Sequence, residues 1–155
     1  MGKPKFAPRE IFEQILEWSV IPTFDLVIEQ KSKGIILVRR KIAPYKDQWA
    51  LAGLRMYKGE DLEDTIKRIA KNELGLKVDT SKKKFLGQYV GKFVTENHRQ
   101  DLSTGYAIKI PKDEEIKINK DHFSDMRYIQ TKNQIPDRIG AMYKYYLLQY
   151  FDLIK

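Results

Sequence analysis

Gly53-Leu-Arg-Met-Tyr-Lys-Gly-Glu-Asp-Leu-Glu-Asp-Thr-Ile-Lys-Arg-Ile-Ala-Lys-Asn-Glu-Leu-Gly-Leu76 is the stretch whose reading decides the fold. Its opening part, from Gly53 to Asp61, reads as a polar loop with a glycine towards each end. From Leu62 onward Leu62, Ile66, Ile69, Ala70 and Leu74 recur at helical spacing. Asp61 suits the N-cap, and Gly75 suits the stop because glycine enters left-handed backbone without a Cβ clash. This loop and helix carry Glu60 at the entrance, Arg68 in the middle and Glu73 near the end. In chemical terms that is a diphosphate-handling unit. A hard cation such as Mg²⁺ takes carboxylate and carbonyl oxygens and keeps phosphate oxygens and waters in its shell. Glu60 and Glu73 would supply carboxylates, and glycines let backbone carbonyls approach closely. Asp64 and Arg68, one helical turn apart, read as an ordinary surface pair.

Working outward, residues 8–20 read as a helix with Ile11, Phe12, Ile15 and Leu16 on one face, broken by Pro22. Residues 23–29 alternate as a strand, and Lys33-Gly34 turns the chain into a second strand over 35–42, as a hairpin or as neighbours. A loop over 43–48 leads to the short apolar run Trp49-Ala-Leu-Ala. Beyond the central helix, strands over 85–94 and 105–110 flank a polar loop, 95–104. A strand near 126–130 precedes a long helix that starts at Pro136, with Ile139, Met142, Tyr146, Tyr150 and Leu153 on one face. Strands both before and after one central helix predict a mixed sheet, not a strictly alternating parallel one. No repeat or composition break divides the chain, so one α/β domain over residues 1–155 is expected.

The bulk numbers set limits on function. A chain of 155 residues with 42% hydrophobic and 32% charged residues forms a core without staples. The absence of cysteine excludes disulfides, thiol catalysis and cysteine-held metals. No apolar run approaches the roughly 20 residues that span a bilayer, and the start lacks a signal-type run, so the cytoplasm is the expected location. The net charge of +8 is spread along the chain, with only Lys82-Lys83-Lys84 as a run. A nucleic-acid binder concentrates such charge on one helix or stripe, so nucleic acid is not the expected partner. The basic balance suits capture of small polyanions, and equally a Lys- and Glu-rich surface of the thermophile kind.

The spacing within residues 53–76 resembles the Nudix box: Gly, five residues, Glu, seven residues, Arg-Glu-aliphatic-any-Glu-Glu-any-Gly-aliphatic. Glu60, Arg68, Glu73 and Gly75-Leu76 match it. Leu54, Ile69 and Asn72 stand where the box has glycine and two glutamates. The resemblance implies a Nudix-like α/β/α sandwich with a mixed sheet, an N-terminal helix, the Nudix loop-helix and a long C-terminal helix. The reduced pattern, with Phe24-Asp25-Leu26-Val27 and Leu37-Val-Arg-Arg40, is similar to the GDP-mannose mannosyl hydrolase branch. That branch cleaves the sugar C–O bond and releases nucleoside diphosphate and free sugar.

Carried over by residue, the resemblance implies metal binding by Glu73 and the Gly53 carbonyl, with Mg²⁺ or Mn²⁺ as the cation. Ile69 lies one turn before Glu73, so the helix supports one cation and not several. Arg40 and Arg55 would neutralise the leaving diphosphate, and Arg68 would orient Glu60 or the glutamate cluster. Further substrate contacts are expected from Asp25, His98, Arg99 and Asp101. In an ungapped alignment His122 takes the place of a glutamine ligand and Phe123 that of the histidine base. A one-residue shift makes His122 the base, and otherwise His98, Asp101 or bulk water would serve. The expected substrate is a nucleoside diphosphate-sugar. Alternatives are a pyrophosphatase attacking phosphorus, for example on ADP-ribose, and a catalytically silent domain that binds a nucleotide. The apolar circumference of the last helix (Tyr143, Tyr145, Tyr146, Leu147, Leu148, Tyr150, Phe151) predicts a homodimer.

Overall fold

Strand β1 (Val20–Gln30) is the axis of the fold, because it is paired along both edges. The computed structural model describes residues 5–154, so the first residues read for targeting lie largely outside the described ones. Around β1 the order is α1 (Arg9–Trp18), β2 (Gly34–Arg40), β3 (Trp49–Ala50), β4 (Ala52–Arg55), α2 (Leu62–Leu74), β5 (Lys84–Phe93), β6 (Arg99–Ile110), β7 (Phe123–Ile129) and α3 (Ala141–Leu153). On one edge, β6 runs parallel to β1 in unbroken register from Val20↔Gln100 to Gln30↔Ile110, and β5 pairs antiparallel beyond it. On the other edge β1 changes partner. Its end meets β2 at Glu29↔Ile35, while its start meets β4 from Thr23↔Arg55 to Leu26↔Ala52. β2 therefore diverges towards Arg40 and pairs with β3 and β7 instead. That split, flanked by Arg40 and Gly53, is where the site forms.

The sheet is mixed, as predicted, and has seven strands. Helix α2 packs against β4 and β1, and α3 against β5 and β1, which completes the α/β/α arrangement. The helical periodicity of α2 is explained by burial: Ile66, Ile69, Ala70 and Leu74 are fully enclosed. Its ends match expectation too. Gly75 has φ 67° in left-handed backbone, and its N–H caps the Lys71 carbonyl. The carbonyls of Glu73 and Leu74 accept from the N–H groups of Asn119 and Lys117, at 2.9 Å each. An irregular segment from the far side of the sequence thus satisfies the helix end.

Several local expectations are corrected. Residues 53–55 are strand, not loop, because they complete the vacated edge of β1. The polar loop after β5 shrinks to residues 94–98, since Arg99 pairs with β5 and Gln100 to Thr104 pair with both β1 and β5. The first helix ends at Trp18, before Pro22 is reached, and Pro22 lies inside β1, where its carbonyl accepts from the Met56 N–H. Helix α3 starts at Ala141 because residues 138–140 join the sheet: Trp49 N–H donates to Arg138, and Gly140 N–H to Trp49. Leu153, expected inside, is exposed, as are Ile11 and Ile15 of α1. Asp64 accepts from the Asp61 N–H at 3.0 Å and so caps the helix, leaving Arg68 to another partner. The apolar circumference of α3 is mostly used within the subunit, with Tyr143, Tyr146, Leu147 and Tyr150 buried.

Close packing of α3 on β6 depends on Gly105, where an added Cβ would lie 2.4 Å from two ring carbons of Tyr146. Gly105→Ala is expected to destabilise by about 1–3 kcal/mol through overpacking, read as a lower urea midpoint. An unchanged midpoint would show that the helix simply shifts.

Candidate active site

Glu60 is the hub of the loop before α2. Its side chain is 1% exposed and takes a two-point bond from Arg68, Nε to Oε2 at 2.7 Å and Nη2 to Oε1 at 2.8 Å. The Tyr57 N–H at 2.7 Å and the Thr65 hydroxyl at 3.1 Å complete its shell. Burial alone would raise its pKa, but these donors hold the carboxyl below its ordinary range. Arg68 also donates to the Arg55 carbonyl at 2.7 Å, tying β4 to the helix. The pair is thus a clamp, and neither residue lines the cleft.

The cleft itself occupies about 270 Å³ in the split between β2 and β4. It gathers Asp25 and Thr23 from β1, Arg40 from β2, Gly53 and Arg55 from β4, Glu73 from α2, Arg99 and Asp101 from β6, and His122. Residues distant in sequence meet there because parallel β1–β6 pairing brings β6 alongside the start of β1. His98 is exposed in the 94–98 loop and is not among the lining residues.

Glu73 is 1% exposed and stands against His122, whose Nδ1 lies 2.8 Å from Oε1 and 3.0 Å from Oε2. Asn119 donates its amide to Glu73 Oε1 at 3.3 Å. A bulge between β2 and β7 skips one residue, so Arg39 faces Asp125 and Arg40 faces Phe123. Phe123 is 2% exposed in the core, and His122 is the residue that reaches the cleft.

Arg40 lines the cleft while donating to the carbonyls of Ile42, Ala43 and Pro44, so it also shapes its own loop. Arg55 is covered on its faces: its Cζ lies 4.7 Å over the Phe12 ring and 4.9 Å over Tyr57. Burial lowers its pKa below the usual arginine range. Arg99 donates to Asp101 at 2.6 Å, and burial nevertheless raises the Asp101 pKa.

Asp25 is 3% exposed and accepts from the Ser103 hydroxyl, which in turn accepts from Tyr146 Oη at 2.8 Å. Burial pushes its pKa up to about 7, against the Ser103 bond and the Arg40 charge. Because the folded value lies above the ordinary one, the stability linked to neutral Asp25 is present at low pH and is lost as pH rises through about 7. In metal-free protein, Asp25→Asn is expected to stabilise at pH 8 by on the order of 4 kcal/mol, by less than half of that at pH 5, and to change little at pH 3. Denaturation across that range tests this; parallel wild-type and variant profiles would refute it.

A family profile described as the NUDIX domain matches residues 20–149. The chain belongs to the NUDIX family. By family and fold it is a Nudix hydrolase. Solved structures agree on the fold. A MutT NUDIX hydrolase from Burkholderia pseudomallei superposes with a TM-score of 0.73 at 18% identity, covering 84% of this chain and 98% of that one. The NUDIX domain of Shewanella oneidensis NrtR, complexed with ADP ribose, gives 0.65 at 15% identity, covering 86% of each chain. A bifunctional NMN adenylyltransferase/ADP ribose pyrophosphatase from Francisella tularensis, complexed with AMP and a Mn ion, gives 0.69 at 17% identity, covering 93% of this chain and 44% of that one.

The donor chemistry of the Nudix helix fits one divalent cation. Among the described residues no cluster of three or more His, Asp or Glu side chains is arranged for a metal. What α2 offers the cleft is one buried carboxylate, Glu73, beside the His122 imidazole and the carbonyl of Gly53. The Met56 to Pro22 bond makes that cross-strand pair hydrogen-bonded, so by alternation Asp25 and Gly53 form a non-bonded pair. Gly53 then directs its carbonyl away from β1. It also has to be glycine, since a Cβ would lie 2.1 Å from Asp25 Oδ1. Ile69 is fully buried in the core, which removes a second carboxylate from this helix.

Asn119 and Ser103 were not legible as site residues. Asn119 lies 46 residues from Glu73 in an irregular segment. Ser103 sits in what reads as loop. Only the inward alternation of Asp101 and Ser103 along a strand would have signalled them.

Proposed function

We propose that this Nudix hydrolase acts on a nucleoside diphosphate-sugar in the cytoplasm and cleaves the sugar C–O bond to give nucleoside diphosphate and free sugar. One observation carries this: helix α2 gives the cleft a single buried carboxylate, Glu73, beside three arginines, while Ile69 one turn earlier is sealed in the core. Cleavage at carbon concentrates new negative charge on the leaving diphosphate, which is where such a cleft stabilises it. Glu73, the Gly53 carbonyl and His122 would hold Mg²⁺ or Mn²⁺, which would supply Lewis-acid stabilisation of that charge.

The chain's own groups divide the remaining work. Arg55 and Arg40 neutralise the diphosphate, with Arg99 beside them. Asp25 and Asp101 accept hydrogen bonds from sugar hydroxyls. The Nδ1 of His122 is engaged by Glu73, so its Nε2 serves as ligand or as acceptor of the proton from attacking water. Glu60 and Arg68 act from behind by holding the β4–α2 loop in place. His98 would contribute only if its loop moved over the cleft. A screen of nucleotide sugars with Mg²⁺ in ¹⁸O-water tests the proposal. Label in the free sugar is expected, and label in phosphate would overturn cleavage at carbon.

A second reading is favoured by the ADP ribose bound in the Shewanella domain. On that reading the same cleft takes ADP-ribose and water attacks phosphorus, giving two monophosphates. A homodimer is part of the proposal; since α3 is largely buried, exposed apolar side chains elsewhere, among them Ile11, Ile15 and Trp18 of α1 and Phe85 and Val90 of β5, would have to supply much of its interface. Light scattering at the expected dimer mass would support it, and a monomer would remove it.

A further inference from the structure

Helix α1 lies outside the span 20–149 matched by the family, yet its Phe12 lines the cleft. The Arg55 guanidinium is held there against aromatic rings, Phe12 at 4.7 Å, Tyr57 at 4.9 Å and, farther off, Phe6 at 5.8 Å. Tyr57 is in turn backed by Arg68 at 3.6 Å, and Arg68 is fixed to Glu60 and to the Arg55 carbonyl. Stacking on a guanidinium face leaves its N–H donors free in the ring plane. Among the described residues none of them has an acceptor.

Directly across the β1–β4 pair from Arg55 stands Thr23. It is 7% exposed, lines the cleft, and its hydroxyl has no hydrogen-bond partner among the described residues. A buried hydroxyl without a partner is rare in native structures and costs stability. An unpaired guanidinium beside it is the second half of the same deficit. Phosphate oxygens satisfy both, because each accepts several hydrogen bonds and carries the charge that arginine lacks here.

We propose that Thr23 and Arg55 form an oxyanion subsite for the substrate's diphosphate, and that Phe12 of α1 is the positioning residue that holds Arg55 in it. This rests on the cleft being a nucleoside diphosphate site. Helix α1 is then a working wall of the site, attached in front of the family domain.

The test is calorimetric binding of GDP and of inorganic pyrophosphate, each with Mg²⁺, to the full chain. Phe12→Leu keeps an apolar side chain but no ring face, and is expected to weaken both ligands about tenfold. Phe12→Tyr restores the face and should stay near wild type, an order that a mere packing role would not produce. Thr23→Val should weaken both about fivefold to tenfold, and Thr23→Ser should recover the affinity. Thermal melts confirm that each variant folds, and the Thr23 pair decides the question if Phe12→Leu does not. Unchanged affinities in Phe12→Leu and Thr23→Val overturn the inference. So does a loss confined to GDP, which would place the subsite at the nucleoside, and so does wild-type protein that binds neither ligand. Binding needs no turnover. Failure to hydrolyse any nucleotide sugar, with these affinity losses intact, defeats the proposed function and leaves the subsite standing.

Discussion

Glu73→Gln lowers metal-stimulated turnover on the order of 10³-fold, equivalent to about 4 kcal/mol of transition-state stabilisation. The expectation follows from the surroundings of this carboxylate. Glu73 is 1% exposed and faces His122 and Asn119, and among the described residues no arginine or lysine lies within salt-bridge range of it. Its charge is therefore free to engage a cation, in contrast to Glu60, whose charge is consumed by Arg68. Glutamine keeps the shape and can still donate to or accept from its two neighbours, so folding should be preserved. The measurement is kcat against Mg²⁺ concentration, alongside a thermal melt. Robust activity with an unchanged metal dependence would remove Glu73 from the metal assignment.

Arg68→Ala is expected to cost about 3–5 kcal/mol of folding stability, because it strands a buried carboxylate. Glu60 would keep the Tyr57 N–H and the Thr65 hydroxyl but lose both bonds to a full positive charge. The sign with pH follows. In wild type the depressed Glu60 pKa contributes stability above its ordinary value, and this is lost as pH falls. In the variant a stranded Glu60 is relieved by protonation, so the deficit should be largest at pH 7 and shrink towards pH 4. Arg68→Lys should recover only part, since one ammonium cannot span both oxygens of Glu60 and the Arg55 carbonyl. Urea denaturation at the two pH values is the check. A deficit under 1 kcal/mol at pH 7 would mean that the clamp behaves as an exposed surface pair.

Glu60 and Arg68 also show how far residue spacing reaches. Helical geometry offers Arg68 a neighbour at Asp64, one turn away. The folded chain gives Arg68 to Glu60 instead, because residues 56–61 fold back over the helix start and Asp64 is occupied with the Asp61 N–H. His122 and Phe123 make the complementary case. In an ungapped alignment His122 takes the place of a glutamine ligand and Phe123 that of the histidine base; the fold, with a bulge opposite Arg39 and Arg40, buries Phe123 and brings His122 to the cleft. No local pattern announces a bulge.

The sequence alone determined the elements built on short periods: α2 with both of its ends, the β1 and β2 strands, the mixed α/β class, and the place of Glu73 near the end of α2. These are legible because side-chain periodicity and capping act within a few residues of one another. Only the tertiary structure decided which polar residues share the cleft. Parallel β1–β6 pairing brings Asp101 and Ser103 to Asp25, an irregular segment carries Asn119 to Glu73, and α1 sets Phe12 against Arg55. Those contacts depend on pairing between distant segments, which the residues specify jointly through burial and hydrogen bonding and no short stretch specifies alone.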